Sequence, residues 1–162
     1  MYRRSFIRGF LLLLLLSTAS SGCRSKAPYE GKSVAKLRRM VRDSNTKLQV
    51  QGAFGLSRLG PQAHEAIPDL IEILKSEDPL VRQNAALALG SMGTEAADAV
   101  PGLANALQDS EWTVRRQAAL SLGEIGPAAK AALPQLDKLK KDPHKRVAEA
   151  AQEAGKKIRQ LQ

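Results

Sequence analysis

Apolar side chains recur with a period of 33 residues over the greater part of the chain. Residues 31–162 divide without a gap into four blocks, 31–63, 64–96, 97–129 and 130–162. The equivalent apolar rows are Val34, Ile67, Val100 and Leu133; Leu37, Leu70, Leu103 and Leu136; and Leu48, Val81, Val114 and Val147. Pro68, Pro101 and Pro134 recur in the same register, as do Gly60, Gly93 and Gly126. So many coincidences at one offset indicate an internal structural repeat.

Each block has the spacing of two amphipathic helices. Ile67, Leu70 and Leu74 fall on one helical stripe, and Val81 and Leu89 lie on a second. No segment alternates polar and apolar residues as a half-buried strand does. The pattern predicts four helix pairs.

Capping residues indicate where the helices begin and end. Asp78-Pro79 and Asp142-Pro143 place a side-chain acceptor before a proline, the arrangement that begins a helix, so we expect the second helices of their blocks to start there. Gly93 and Gly126 are suited to the positive φ that ends a helix.

A single helix pair cannot bury its own apolar stripe, whereas stacked pairs share a continuous core. The predicted fold is therefore all-α, a right-handed α-solenoid of four 33-residue helix pairs, or eight helices, over residues 31–162. Frequent alanine on the packing faces allows neighbouring helices to approach closely.

Two segments carry a family resemblance. Residues 81–90 (VRQNAALALG) and 114–123 (VRRQAALSLG) are each followed by a glycine three residues later, and they resemble HEAT repeats of the short kind found in phycobilisome lyases. The resemblance implies a structural ladder between neighbouring units formed by Arg82, Arg115 and Asp109. It also implies that the second helices line the concave side of the stack.

The two end blocks depart from this pattern in the way that capping repeats do. Gln152, Glu153 and Lys156 replace the Ala119, Leu120 and Gly123 of the preceding block. In the first block, Ala35 replaces the recurring proline and Gln49 replaces the ladder arginine.

Residues 1–22 have the composition of a secretory signal peptide. Arg3, Arg4 and Arg8 precede a short apolar run that ends in six leucines at Leu16, and small polar residues follow. The apolar run is shorter than the roughly 20 residues that span a bilayer. The two adjacent arginines also resemble the twin-arginine export motif, so general and twin-arginine export both stay open.

Ser20-Ser21-Gly22-Cys23 resembles the lipobox of bacterial lipoproteins, with Ser20 in place of the usual leucine. The resemblance implies that Cys23 is lipidated and that residues 23–30 form a linker to the repeats. We therefore expect a membrane-anchored lipoprotein of the bacterial cell envelope, facing the periplasm or the exterior. Cleavage after Ala19 is the alternative, and it predicts a soluble secreted or periplasmic protein.

Groups suited to catalysis are scarce, because the chain has two histidines and one cysteine. We expect no enzyme activity, no cofactor and no metal site. An enzyme or enzyme accessory related to the bilin lyases or to deoxyhypusine hydroxylase is the alternative. The iron of the hydroxylase family is held by repeated His-Glu pairs, whereas this chain has the single pair His64-Glu65.

Charge is distributed unevenly along the chain. It carries 25 Lys and Arg against 16 Asp and Glu, a net charge of +9. The first and last blocks are basic and the two middle blocks are acidic, so the uniform basic stripe of a nucleic-acid-binding surface is absent, and we expect no nucleic-acid partner.

The predicted binding surface lies on the second helices, and its expected partner is a protein or peptide of the cell envelope. An exposed Trp112 beside Arg116 is a candidate anchor, because both residue types are enriched at interface hot spots. The alternative is that the Trp112 ring folds back over the adjacent turn as local packing. Gln83 and Glu149 occupy the positions equivalent to Arg116, and Ala86 and Ala119 are expected to be exposed one turn on.

Overall fold

The computed structural model describes residues 29–160. The predicted signal peptide, Cys23 and most of the predicted linker lie outside the described residues. In chain order the α-helices are α1 (Val34–Val41), α2 (Thr46–Leu59), α3 (Ile67–Ile73), α4 (Pro79–Ser91), α5 (Val100–Ala106), α6 (Trp112–Ile125), α7 (Leu133–Leu139) and α8 (Lys145–Gln160).

The helices repeat in register with the sequence. The first helices of the pairs begin at 34, 67, 100 and 133, and the second helices begin at 46, 79, 112 and 145. No β-strand occurs between residues 29 and 160. The prediction of an all-helical repeat fold is confirmed.

In the described part of the chain, three 3₁₀ segments that the sequence pattern did not predict join the units: Gly60–Ala66, Gly93–Ala99 and Gly126–Ala132. Each begins at a glycine with positive φ, 56°, 60° and 75° in chain order. At Gly60 and Gly126 the ψ angle is near −135°, a conformation that essentially only glycine adopts. The glycines do end the second helices as predicted, but the chain continues as a tight helix into the next unit.

One of the two predicted helix starts is wrong. α4 begins at Pro79, and Asp78 Oδ1 accepts a hydrogen bond of 2.8 Å from the Leu80 amide. α8 begins at Lys145, beyond Pro143. The Asp142 carboxylate is not a cap for α8, because it accepts the His144 amide at 2.8 Å and also binds Arg115.

The second helices form one continuous layer, in which α2 packs on α4, α4 on α6 and α6 on α8. Each first helix packs on the second helix of its own pair. The core includes Leu56, Leu89 and Leu122, which are fully buried at the same position of successive repeats. The stack thus buries the stripe that a single pair would leave exposed.

Small residues let these helices approach closely. A Cβ atom at Gly90 would lie 2.5 Å from Ser121 Oγ and 2.8 Å from the Ser121 backbone. Ser121 is buried, and its hydroxyl donates to the Ala86 carbonyl at 2.7 Å. The contact between α4 and α6 therefore depends on a glycine facing a serine.

The two ends of the stack are closed differently. The Tyr29 ring packs edge-on against Phe54, with ring centroids 5.1 Å apart, and it also lies beside Gly55. At the other end, the polar residues predicted to cap α8, Gln152, Glu153 and Lys156, are exposed. Among residues 29–160, no helix is both long and apolar enough to cross a membrane.

Candidate binding surface on the second helices

Two adjoining hollows lie on the solvent side of α4, α6 and α8, which we call the second-helix face. The hollow between α6 and α8 has a volume of about 370 Å³, and its lining includes Arg116, Leu120 and Glu149. The hollow between α4 and α6 has a volume of about 360 Å³, and its lining includes Leu87, Gln117 and Leu120. Leu120 therefore belongs to both hollows.

The apolar floor of this face was missed by the sequence analysis. Leu87 and Leu120 are half-buried and lie 33 residues apart. Phe54, at the same position one repeat earlier, is also half-buried. Their shared position in the repeat was the signal that could have identified them. The helical pattern, however, places them next to the core residues, so periodicity alone does not distinguish a leucine of this face from a leucine of the core.

Two arginines of the hollow between α6 and α8 have no ion-pair partner among the described residues. Arg116 is half-buried, and Arg146 is exposed across the hollow from it. Glu149, predicted to lie on the same face, also lines the hollow and stands 3.7 Å from Lys145. Gln83 occupies the equivalent position on α4, half-buried, and it lines neither hollow.

The expectation that Ala86 and Ala119 are exposed is wrong. Both side chains are fully buried. The reason is the close packing of the second helices, in which Ser121 of α6 reaches the backbone of Ala86. The open part of the face lies along the leucines instead.

Trp112 is half-buried rather than exposed. Its ring stacks on the His144 ring of the next repeat, with centroids 3.8 Å apart and an interplanar angle of 5°. Trp112 lies one helical turn before Arg116 on α6, so the two residues share a side of that helix. The indole is therefore a rigid border of the face rather than a free anchor.

The residues expected to form a ladder connect successive repeats. Arg82 donates from Nε and Nη2 to the two carboxylate oxygens of Asp109, at 2.7 and 2.8 Å. Its Nη1 donates to the carbonyls of Ser76 and Glu77 at 2.8 and 2.9 Å. The guanidinium thus links the turn of its own repeat to the turn of the next one, in the two-pronged geometry that makes such pairs strong.

The next rung repeats this arrangement with a residue that the sequence analysis did not assign to the ladder. Arg115 donates to Asp142 at 2.8 and 3.2 Å and to the carbonyl of Asp109 at 2.8 Å. Asp142 stands 33 residues after Asp109, so the repeat register was the signal that could have identified it.

The ladder carboxylates are held in the charged form. Burial acts to raise the pKa of Asp109, but hydrogen bonds from Arg82 and from the Glu111 amide outweigh it, so this pKa lies below its ordinary value. The pKa of Asp142 is lowered for the same reasons, by Arg115 and the His144 amide acting against burial. Both groups are therefore negative at neutral pH.

The junction between the first two repeats has no such rung. Gln49 occupies the arginine position and Ser76 the aspartate position. Instead, Arg38 and Arg42 of α1 both bind Asp69 of α3, with Nε–carboxylate distances of 2.7 and 2.8 Å. Charge joins this pair of repeats through their first helices.

The side chains of the His64-Glu65 pair each contact another residue of the chain. His64 is exposed and its Nδ1 lies 3.3 Å from the Pro61 carbonyl oxygen. Glu65 lies 3.6 Å from Arg38 Nη1. Within residues 29–160, no three His, Cys, Asp or Glu side chains are grouped as metal ligands would be.

Solved structures with the same fold include proteins of different kinds. Two engineered proteins are 25% and 23% identical to this chain, each with a TM-score of 0.67, over 78% and 76% of this chain and 62% of their own length. Human deoxyhypusine hydroxylase, solved in complex with glycerol, is 30% identical with a TM-score of 0.62, over 81% of this chain and 45% of its own. This chain therefore spans less than two thirds of each of these proteins.

No curated protein matches the sequence. The sequence profile of HEAT repeats, in contrast, matches residues 34–100 and 95–155, which together cover most of the chain. The match extends over all four helix pairs and includes both ladder arginines. The chain belongs to the HEAT-repeat family.

Proposed function

We propose that this protein is an exported, lipid-anchored scaffold of the bacterial cell envelope that binds a peptide or protein segment on its second-helix face. The repeats would form a right-handed solenoid of eight helices carrying that face. The observation that supports binding is the pair of adjoining hollows that share Leu120, with Arg116 and Arg146 beside them, neither of which has an ion-pair partner within residues 29–160.

The chemistry of the hollows defines the partner segment. Leu87 and Leu120 offer an apolar floor, which suits a bulky apolar side chain. Arg116 and Arg146 then favour a carboxylate next to it, because an unpaired guanidinium gains a charge-assisted hydrogen bond. Glu149 and Glu153 line the same hollow and repel an acidic group placed beyond the arginines, so the segment would have its acidic residue close to its apolar one. The stacked Trp112 ring would border the bound segment, and Gln83 would meet its far end on α4.

Site-specific photo-crosslinking in intact cells tests this function. A crosslinking residue at position 120 of the full-length chain should capture a defined partner, and Arg116→Glu should reduce the yield. The matched control is a crosslinker at Asn105, which is exposed on α5 in the other helix layer. The same products from both positions, or none from position 120, would contradict binding at this face.

Export and anchoring are tested separately, by the mass of the mature protein. Lipidation predicts a chain that starts at Cys23 and carries acyl groups, and Cys23→Ser should release the protein from the membrane fraction. A chain that starts at Ser20 would support the soluble alternative, in which cleavage follows Ala19.

The likeness to deoxyhypusine hydroxylase keeps one alternative, an enzyme or enzyme accessory of that kind. The hydroxylase is more than twice as long as the region that aligns with it, and this chain has one His-Glu pair whose glutamate faces Arg38. Stoichiometric iron in the purified protein, lost on His64→Ala, would support the enzyme over the scaffold.

A further inference from the structure

The basic side chains around α1 form two groups with different surroundings. Arg38 and Arg42 turn towards α3, where Asp69 holds both of them. Lys32, Lys36 and Arg39 line a separate hollow of about 220 Å³ and have no ion-pair partner among the described residues. We call these last three residues, of which Lys32 immediately precedes the helix, the basic face of α1.

The geometry of the basic face suits several anions at once rather than a single one. Lys36 and Arg39 are three positions apart on α1, which places them on one side of the helix. Lys32 lies just before the helix and lines the same hollow. Lys36 and Arg39 are exposed, and Lys32 is half-buried. Met40 and Leu48 form the apolar floor of the hollow, and among the described residues Asp43 is its one acidic lining residue.

The position of the basic face in the chain identifies its partner. Tyr29 packs beside Leu37 of α1, and its carbonyl accepts the Lys32 amide at 3.2 Å. Cys23 stands six residues before Tyr29, so even an extended connection spans only about 20 Å. A lipid on Cys23 would therefore hold the basic face within reach of the bilayer surface.

We propose that the basic face of α1 docks on the anionic headgroups of a lipid bilayer, so that the stack stands with its first repeat against the membrane. The nearness of the bilayer rests on the lipid anchor of the proposed function. The attraction itself does not, since it depends only on Lys32, Lys36 and Arg39. Each basic residue near an anionic surface strengthens binding by about fivefold, so the three together contribute about a hundredfold.

Vesicle binding without the anchor tests the proposal. The buried core lies between Leu37 and Ile158, so a chain that starts at residue 23 keeps it whole, and Cys23→Ser removes the lipidation site. This chain should sediment with vesicles of mixed phosphatidylglycerol and phosphatidylcholine but not with phosphatidylcholine alone. Binding should weaken as salt is added, because the Debye length falls from about 10 Å at 0.1 M to about 3 Å at 1 M.

Two matched variants locate the binding surface. Lys32→Gln with Lys36→Gln and Arg39→Gln should weaken binding to the anionic vesicles by about a hundredfold. The control replaces three exposed lysines of the last repeat, Lys130, Lys138 and Lys141, by glutamine and removes the same charge. The control should bind almost as the parent does, and both variants should keep the parent's circular dichroism spectrum.

The outcomes are distinct from those of the proposed function, because the second-helix face and the lipidation of Cys23 are read by other experiments. Equal losses in the two triple variants would show a general charge effect and overturn the proposal. So would equal binding to both kinds of vesicle. Failure of the parent chain to bind anionic vesicles would also overturn it and leave an acidic protein as the target of the basic face.

Discussion

The junction between the first two repeats and the two junctions that follow use equivalent helices but different charges. In the later junctions, Arg82 and Arg115 each tie the turn of one repeat to an aspartate of the next. In the first junction both ladder positions are replaced, by Gln49 and Ser76. Its ion pairs join α1 to α3 through Asp69 instead.

The comparison shows that the arginine and the aspartate of a ladder ion pair are either both present at a junction or both replaced. The Arg82 and Asp109 side chains are only 15% and 10% exposed, so a partner left alone would keep a largely desolvated charge. Replacing both partners by neutral side chains avoids that cost. The turn itself persists in either case, because Ser76 Oγ accepts the Asp78 amide as Asp109 accepts that of Glu111.

The largest effect is expected at the ladder aspartate. Asp109→Ala leaves the Arg82 guanidinium without its carboxylate and should lower the free energy of unfolding by about 3 kcal/mol. Ser76→Ala changes the same repeat position at the first junction and should cost less than about 1 kcal/mol, because only one hydrogen bond is lost. Urea denaturation measures both, and equal losses would remove the distinction between the junctions.

The loss of stability caused by Asp109→Ala should depend on pH. Because the pKa of Asp109 is lowered in the folded state, its contribution to stability is complete above the unfolded value of about 3.9 and is lost as the pH falls through the folded value. The gap in unfolding free energy between the parent and Asp109→Ala should therefore be constant near neutrality and narrow below about pH 4. A gap that widens in acid would contradict the charged rung.

A smaller loss is expected from crowding at the α4–α6 contact. Gly90→Ala places a Cβ atom 2.8 Å from the backbone of Ser121 and should cost about 2 kcal/mol as the helices separate. Gly102→Ala is the control, because its Cβ would meet only the end of the flexible Leu74 side chain, at 3.2 Å. Thermal unfolding should separate the two variants, and similar melting temperatures would count against a tight glycine contact.

The smallest expected effect is a gain. Gln49→Arg with Ser76→Asp rebuilds the missing rung at the first junction, and a double-mutant cycle should give a favourable coupling of about 1 kcal/mol. Each single change alone should be neutral or destabilising, since it introduces an unpaired charge. Zero coupling would mean that the backbone geometry of the first junction does not bring positions 49 and 76 together, so that it differs from the later junctions in more than its residue types.

How far the sequence predicted this molecule varies from one residue to another. Gly93 and Gly126 have the positive φ that their position after a helix predicted. Asp142 was misread as a cap for α8, because a local rule for Asp-Pro ignores the arginine that the previous repeat supplies. For Trp112 the sequence left both exposure and packing over the adjacent turn open, since nothing in its own helix indicates the His144 ring of the next repeat that covers it.

The residues of the second-helix face were likewise predicted in part. Arg116 and Glu149 were predicted to share a face, and they line one hollow. Ala86 and Ala119 were placed on that face too, but the distance between second helices decides their burial, and periodicity alone does not give that distance. Leu87 and Leu120 form the floor of the hollows for the same reason.

The amino-acid sequence alone determined the period of 33, the all-helical class and the set of positions that are equivalent from repeat to repeat, because apolar periodicity and punctuation by glycine and proline are local properties. The tertiary structure decided which equivalent positions meet. Arg115 contacts Asp142, 27 residues further along the chain, only because one helix pair is stacked on the next. These contacts are set by the shift and rotation between stacked units. That shift and rotation depend in turn on side-chain packing across the whole interface.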